Sequence, residues 1–450
     1  MKLRQHLATA ITVWLSLFTA FTAFSQEQKI SYFRPYDQTA LHVFETSKLD
    51  ELGFDGLKVR LGGNFTQQFQ ALSHSNTAQA VFVNEKDVNQ LIGLAPGFNN
   101  ATANLNVDVQ LADGIRMNLV TYLSARHHVE TWVKGGYIQI DRLPMLNSDV
   151  IDQIMDLVTI KVGHMEINYG DNHFRRTDNG NALYNPFVGN LIMDAFTTEI
   201  GTEVYVQKNG LIGMFGITAG EIKGSITPNP TDANGNKLKK GDVGFLSGSS
   251  PTYLAKLGYD KAFDNDLRLR LTGSMYTTAR SWSNTLYGGD RGGSRYYLVM
   301  EPVGATTAAN FTSGRWNPGF KSQVTAFVVN PFVKYKGLEF FGTYEVASGR
   351  AANEAEARTW NQVSGEVIYR FLKDESVFVG GRYNKVSGAL ATSLQEVSLD
   401  RVQIGAGWFM TPNMVVKGEY VIQNYNDFAP TDIRNGGKFS GLMIEAAVGF

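Results

Sequence analysis

Seven histidines, no cysteine and a scatter of carboxylates are the raw material for chemistry in this 450-residue chain. Covalent catalysis needs a nucleophile with a base in reach, and no Gly-x-Ser-x-Gly elbow occurs. His6 lies in an N-terminal hydrophobic segment, His127 and His128 are adjacent in a turn, and His164 and His173 flank one polar loop. The pair His127-His128 has no Cys/His spacing around it to complete a zinc set, so it reads as a solvated turn. Asp232-Ala233-Asn234-Gly235-Asn236-Lys237 begins like a calcium loop, but Lys237 stands where the sharp-turn glycine belongs and Val243 where the bidentate glutamate is needed. No catalytic residue, metal or cofactor is expected.

The remaining charges are regular instead. Lys58, Arg60, Arg116, Lys134, Arg268, Arg270, Arg370, Arg382, Arg401 and Lys417 fall on the polar side of segments that alternate apolar and polar. So do Asp108, Glu130, Glu199, Glu203, Glu339, Glu345, Glu366, Glu419 and Glu445. An unpaired charge in a dry core costs several kcal/mol. This many charges on one side imply either water or ladders of ion pairs bracing the wall.

The alternation itself has the period of a β-strand. Leu57, Val59, Leu61 and Phe65 oppose Lys58, Arg60, Asn64 and Thr66, and Leu105, Val107, Val109 and Leu111 oppose Asn104, Asn106, Asp108 and Gln110. Connectors come in two kinds. Ala112-Asp113-Gly114, Lys208-Asn209-Gly210, Asp264-Asn265-Asp266, Tyr335-Lys336-Gly337, Lys373-Asp374-Glu375-Ser376 and Thr411-Pro412-Asn413 are tight turns. Between them lie long polar loops near 71–100, 170–195, 224–250, 279–320, 349–359, 385–396 and 425–437. Short and long connectors alternate, the asymmetry of an outer-membrane barrel with short periplasmic turns and long extracellular loops. The pattern predicts an all-β, antiparallel transmembrane barrel of 16 strands, or 18 if part of 30–50 or 280–320 also pairs, with a short helix in 141–156.

The composition agrees. Forty-six glycines, twelve prolines and 12% aromatic residues suit a bent sheet with aromatic girdles. Tyr253, Tyr259, Tyr287, Tyr296, Tyr297, Trp316, Tyr335, Tyr369, Trp408, Tyr420 and Tyr425 cluster at strand ends, where amphipathic rings favour the membrane interface. A formal charge of −1 excludes the basic footprint of a nucleic-acid binder, and a cysteine-free chain avoids mispairing in the oxidising periplasm. Lys2 and Arg4, the uncharged run from Leu7 to Phe24 and the small-residue exit Ala23-Phe24-Ser25 read as a signal peptide over 1–25. The expected organisation is that leader, an N-terminal periplasmic segment over 26–53, and one barrel over 54–450. Leu442, Ile444, Ala446, Val448 and Phe450 share the outward face of the last strand. A chain stopping on an outward aromatic resembles the terminal signal read by the barrel-assembly machinery.

One stretch resembles a family. Ile160 to Gly180, which contains His164-Met165-Glu166-Ile167-Asn168-Tyr169-Gly170-Asp171-Asn172-His173-Phe174-Arg175-Arg176, is similar to a strand and loop of porins of the Bacteroidota. The likeness continues through Asn185-Pro186-Phe187-Val188-Gly189-Asn190 and, more distantly, reaches the phosphate-selective porins. It implies a passive channel for small hydrophilic solutes or ions in the outer membrane of a Gram-negative bacterium. It does not imply phosphate selectivity, because the lysine ladder and arginine cluster of that subgroup have no matching positions here. In trimeric porins the third loop narrows the pore. By that resemblance Asp171, His173, Arg175, Arg176 and Asp178 are candidate constriction residues, where opposed charges set a transverse field. The alternative is that Arg175 and Arg176 pair with Asp171 and Asp178 and hold the loop closed on itself. The partners implied are a lipid bilayer, the assembly machinery, small solutes or ions, and the two further copies of a homotrimer. A second reading of the whole chain is a non-conducting barrel that serves a structural, secretion or surface-binding role.

Overall fold

The computed structural model describes residues 30, 33–48, 53–127, 131–220, 236–239, 249–263, 266–290, 292–293, 295–372 and 374–450. The expected signal peptide, His128, Glu130, most of the calcium-like segment, Asp264-Asn265 and Lys373 lie outside the described residues.

Sixteen strands close into one antiparallel barrel. They are β1 Lys58–Ser75, β2 Thr102–Ala112, β3 Ile115–Ser124, β4 Trp132–Ile140, β5 Val158–Glu166, β6 Thr198–Lys208, β7 Leu211–Thr218 and β8 Thr252–Ala262. The second half comprises β9 Leu267–Thr278, β10 Gln323–Tyr335, β11 Leu338–Arg350, β12 Arg358–Phe371, β13 Val377–Ala389, β14 Glu396–Thr411, β15 Met414–Asn426 and β16 Lys438–Gly449. Each strand pairs with its sequence neighbours, and β1 closes the circle by pairing with β16, from Asn64↔Gly449 to Ser75↔Lys438. Among the described residues of 30–50 and 280–320 no further barrel strand forms, which removes the 18-strand alternative. The tight turns are built as their residues require. In Lys208-Asn209-Gly210, φ is +51° at Asn209 and +87° at Gly210, the left-handed pair of a hairpin whose twist matches its strands. The connector between β4 and β5 holds helix α1, Asp149–Met155, with the Ser148 hydroxyl accepting from the Ile151 amide at its N-cap.

The outer wall is apolar. On β14, Val402, Ile404, Trp408 and Met410 face out while Leu399, Arg401, Gln403 and Phe409 face in. Tyr253, Tyr259, Tyr335, Tyr369, Trp408 and Tyr420 are on the outside, as girdle residues should be. Tyr287, Tyr296, Tyr297 and Tyr425 are not: all are buried inside the barrel, and Trp316 packs against the buried Trp360. Four of these five belong to the connector between β9 and β10, which turns inward. Phe450 completes the outward row of β16, 59% exposed to the exterior, and its backbone is locked to Gly63 by N–H···O bonds of 3.0 and 2.8 Å.

The inner wall departs from a purely polar lining. Toward the short turns it carries Arg60, Asp108, Arg270, Glu339 and Arg370. Toward the long loops the same inward positions are apolar, with Val324, Ala326, Val328, Ala347, Trp360, Val386, Val397, Leu399, Val421, Phe439 and Met443 in one buried cluster. Those residues are covered by loop residues Val188, Ile192, Met193, Leu286, Tyr287, Tyr296 and Val299. The strands therefore sit between lipid and a packed interior over part of their length.

An arginine placed mid-wall on the lipid side tests the phase. Ile404→Arg, at a position 63% exposed on the outside, should lower unfolding stability in lipid by about 2–4 kcal/mol. Denaturant unfolding measures it, and an unchanged midpoint would contradict the outward assignment.

Candidate functional site: the filled interior of the barrel

The connector between β5 and β6, residues 167–197, is the third loop at the long-loop end, after that between β1 and β2 and the short one between β3 and β4, and it lies inside the barrel with nearly every residue buried. Among its predicted charges Arg176 pairs within the loop, whereas Asp171 and Arg175 reach the wall. The Asp171 carboxylate accepts from Arg270 at 2.8 Å through both Nε and Nη2, from Lys256 Nζ at 2.9 Å and from Thr272 at 2.8 Å. Arg175 donates to Glu366 at 3.1 and 2.8 Å and to Glu339 at 3.2 Å, between the rings of Phe332 and Phe341. Asp171 and Arg175 thus fasten the loop to strands β9, β11 and β12 on one side of the barrel. Arg176 turns back on its own loop in a two-pronged pair with Asp194, at 2.9 and 2.7 Å, and its Nη1 is 3.7 Å from Asp178. Asp178 is ion-paired to Lys134 on β4. His173 bridges the Glu166 carboxylate at 3.1 Å and the side-chain Oδ1 of Asn168 at 2.9 Å. The expectation that Arg175 and Asp171 pair within the loop is corrected: a loop seated in a charged wall gains better partners from the wall.

The backbone of the same loop is held by wall side chains. Lys417 Nζ donates to the carbonyls of Ala182, Asn185 and Phe187 at 2.7, 2.8 and 3.0 Å, and pairs with Glu445 at 2.8 Å. The Glu419 carboxylate accepts from the amides of Val188 and Gly189 at 2.8 and 3.2 Å. Asn384 and Gln362 accept from the amides of Ile192 and Met193 at 2.6 and 3.1 Å. Arg401 donates to Asn190 O at 2.6 Å and Arg382 to Gly189 O at 3.0 Å. On the opposite side Thr66 donates to Gly180 O at 2.6 Å and Asn104 to Asp178 O at 2.8 Å. A loop with so many backbone groups away from water needs these partners.

The other predicted inward charges are also placed. Arg60 pairs with Asp108, at 3.0 and 2.7 Å, directly across β1 and β2. Arg116 donates to Asp141 at 2.7 Å, Arg268 to Asp260 at 2.7 and 2.6 Å, and Arg382 to Glu366, its cross-strand partner, at 2.9 and 2.7 Å. Arg370 pairs with Glu339. Glu345 accepts from the hydroxyls of Tyr169 and Tyr287 at 3.0 and 2.7 Å. Lys58 sits at the short-turn rim and pairs with Asp55 at 2.6 Å. Many of the wall charges form ion pairs, while Arg401, Glu345 and Glu419 are held by neutral groups instead.

Three elements were missed from the pattern. Lys256 on β8 faces in, opposite in phase to Tyr253, Leu257 and Tyr259; that phase was readable. The fifth loop at the long-loop end, 279–322, also enters the barrel, where Tyr296 donates to Glu419 at 2.6 Å and Arg315 pairs with Asp194 at 3.1 Å; its polar composition concealed that. The third is the N-terminal segment. Residues 33–48 lie within the barrel at the short-turn end, with Ala40, Leu41 and Phe44 buried against Phe332, Ile368, Phe378 and Phe409 of the wall and against loop residues.

Between these inserts and strands β1 to β6 lies a cavity of about 270 Å³. The wall contributes Asn64, Asn104, Asn118, Tyr137, Lys161 and Tyr205, the third loop His173, Asp178 and Tyr184, and the N-terminal segment Arg34, Tyr36 and Glu45. Burial, backed by Glu166 and Asp290, pushes the Asp178 carboxyl at its margin up to about 6, against the pull of Lys134 and Arg176. His42, Glu339 and Glu375 also bring potential ligand atoms within 4.8 Å of one another at the short-turn end. Arg370 and Arg175 already neutralise Glu339, and Lys334 neutralises Glu375 at 2.6 Å, so the group is spoken for by cations.

The chain matches no protein-family profile and no curated protein. Solved structures do match it. The anion-selective porin from Comamonas acidovorans aligns with a TM-score of 0.51 at 9% identity, over 88% of this chain and 100% of its own. The outer membrane channel DcaP of Acinetobacter baumannii aligns at 0.48 and 11% identity, over 89% and 99%. The trimer form of OmpT, an outer membrane protein of Vibrio cholerae, aligns at 0.46 and 12%, over 88% and 100%. At such identities the likeness to the Comamonas protein is one of fold. A closed sheet with an apolar exterior belongs in a bilayer, because closure pairs every wall amide of a sheet in lipid, and the chain has the fold of a membrane-spanning β-barrel.

The anchoring of the third loop is directly testable. Arg175→Ala leaves Glu339 and Glu366 buried with one cation fewer, a loss of about 3 kcal/mol by the cost of breaking a buried pair. Limited proteolysis of the folded barrel should then cut within 167–197, where the parent resists. Equal resistance would mean that the backbone sockets hold the loop without Arg175.

Proposed function

We propose that this barrel is a porin-type channel that lets small hydrophilic solutes or ions diffuse passively across the outer membrane. The observation that carries the reading is the polar cavity of about 270 Å³ left between the β1–β6 wall and the inserted third loop. Side-chain amides, tyrosines and Lys161 of the wall supply polar groups that can replace the hydration of a passing solute, beside apolar rings such as Phe33, Phe44 and Phe174. The third loop acts as the constriction. Its contribution at the narrow side is Asp178 opposite Lys134, with His173 beside them, while Asp171, Arg175 and Arg176 are anchors that hold it across the lumen. Phe450 serves as the assembly signal, supported by its place at the end of an outward apolar row. The dense filling elsewhere supports a narrow passage, and it is also what a non-conducting, surface-binding barrel would have.

Single-channel recording in planar bilayers separates the two. Small, discrete conductance steps are expected, and a folded barrel silent at every voltage would sink the channel reading. Local pairing of the charges predicts weak ion selectivity at neutral pH. Selectivity should change with acid. Above pH about 6 the Asp178 carboxylate cancels Lys134. Below it the carboxyl is neutral and the site carries one negative charge fewer beside Lys134, so reversal potentials under a salt gradient should shift toward anions. Asp178→Asn should show the acid value at all pH, and a parallel titration of variant and parent would exclude Asp178 as the cause.

A further inference from the structure

The N-terminal segment makes a nearly complete circuit of the barrel's short-turn mouth. At its start the Tyr36 hydroxyl donates to Asp108 on β2 at 2.9 Å, and the Tyr36 ring lies on Gly62 of β1, where a Cβ would run into it. The Gln38 amide donates to Pro412 O in the β14–β15 turn at 2.8 Å, and its side chain to Asp374 O in the β12–β13 turn at 2.7 Å. His42 Nε2 is 3.2 Å from Glu339 on β11, and its carbonyl accepts from Arg268 on β9 at 2.7 Å. Glu45 accepts from Arg270 on β9 at 2.6 Å and from Lys256 on β8 at 3.0 Å. Lys48 then reaches the carbonyls of Asp141 in the β4–β5 connector and of Val158 at the start of β5, at 2.8 and 2.9 Å. Sixteen residues touch the wall on every side, and their inner face floors the cavity with Phe33, Arg34, Tyr36, Phe44, Glu45 and Thr46.

The attachment has one charged centre. Lys256 and Arg270 each hold both Glu45 of this segment and Asp171 of the third loop. Two cations thus serve two carboxylates from separate inserts. The pull of Lys256 and Arg270 keeps Glu45 ionised well below the usual carboxylate range, though burial works against it. Arg270 also pairs with Asp260 at 3.0 Å, and Lys256 donates to the Gly170 carbonyl at 2.8 Å. Removing Glu45 would take one of the two carboxylates these cations share, so the seat of the segment and the seat of the third loop are energetically linked.

We propose that residues 33–48 are a built-in plug that closes the periplasmic mouth of the channel, with Glu45 on Lys256 and Arg270 as its latch. The proposal rests on the channel reading above and adds its regulation. With the plug seated, flux is restricted to what passes the floor of the cavity. With it displaced, the cavity opens to the periplasm and the third loop loses a shared anchor.

The test compares the parent, a deletion of residues 33–48 and Glu45→Ala in planar bilayers, each first shown to be folded by heat-modifiable gel migration. The deletion should raise single-channel conductance several-fold, and Glu45→Ala should raise the frequency of large openings without changing their size. A synthetic peptide of residues 33–48, added on the short-turn side, should block the deletion channel in a concentration-dependent way, which a merely structural role would not produce. A parent that conducts with the same steps as both variants overturns the plug and leaves the channel standing. Folded parent and deletion barrels that both fail to conduct overturn the two together. If the deletion does not fold, Glu45→Ala decides, and an unchanged opening frequency overturns the latch and the plug.

Discussion

In hydrocarbon an unpaired amide or carbonyl costs several kcal/mol. The pairing of Asn64–Ser75 with Lys438–Gly449 is what spares this sheet that cost. Without that seam, β1 and β16 would present two open edges to lipid. With it, each strand has two partners, the strands tilt around an axis, and every side chain points either to lipid or to the interior. The outward set can satisfy lipid only by being apolar. The inward set is then free to carry charge, on condition that each charge finds water or a partner.

This barrel meets that condition mostly with partners. Cross-strand pairs such as Arg60–Asp108 and Glu366–Arg382 brace the wall, and the third and fifth loops and the N-terminal segment supply the rest. The inserts are not passive filler. Wall charges grip loop backbone, as Lys417 does with three carbonyls and Glu419 with two amides. Nearer the long loops the wall turns apolar on its inner face and packs against Val188, Ile192, Met193 and Tyr296. The free space is consequently pushed to one side, against β1 to β6, where the inserts make fewer contacts.

Much of this was legible. Period-two alternation and the parity of connector lengths account for the sixteen strands, because pleat and turn chemistry are local. The inward phase of Arg270, Glu339, Arg401 and Lys417 follows from the same count. The aromatic girdle was only partly legible: Tyr253 and Trp408 sit in strands, where phase decides their side, whereas Tyr287 and Tyr296 sit in a loop, where no period does. The destination of 33–48 was illegible. Glu45 has no neighbour in sequence that foretells Lys256 and Arg270, and a segment of mixed composition reads alike outside the barrel or in its mouth.

The sequence by itself determined the barrel, a strand number of 16 or 18, the side of the wall each strand residue takes, and the near balance of charge inside, since all of these follow from near-neighbour geometry and from what lipid will accept; only the structure settled on sixteen. The tertiary structure alone decided which charges meet, that two loops and the N-terminal segment fill the lumen, and where space remains. Those outcomes depend on contacts between residues as distant as Glu45 and Arg270, or Asp171 and Lys256. Such contacts form only once closure of the sheet has brought opposite walls within reach of a single loop.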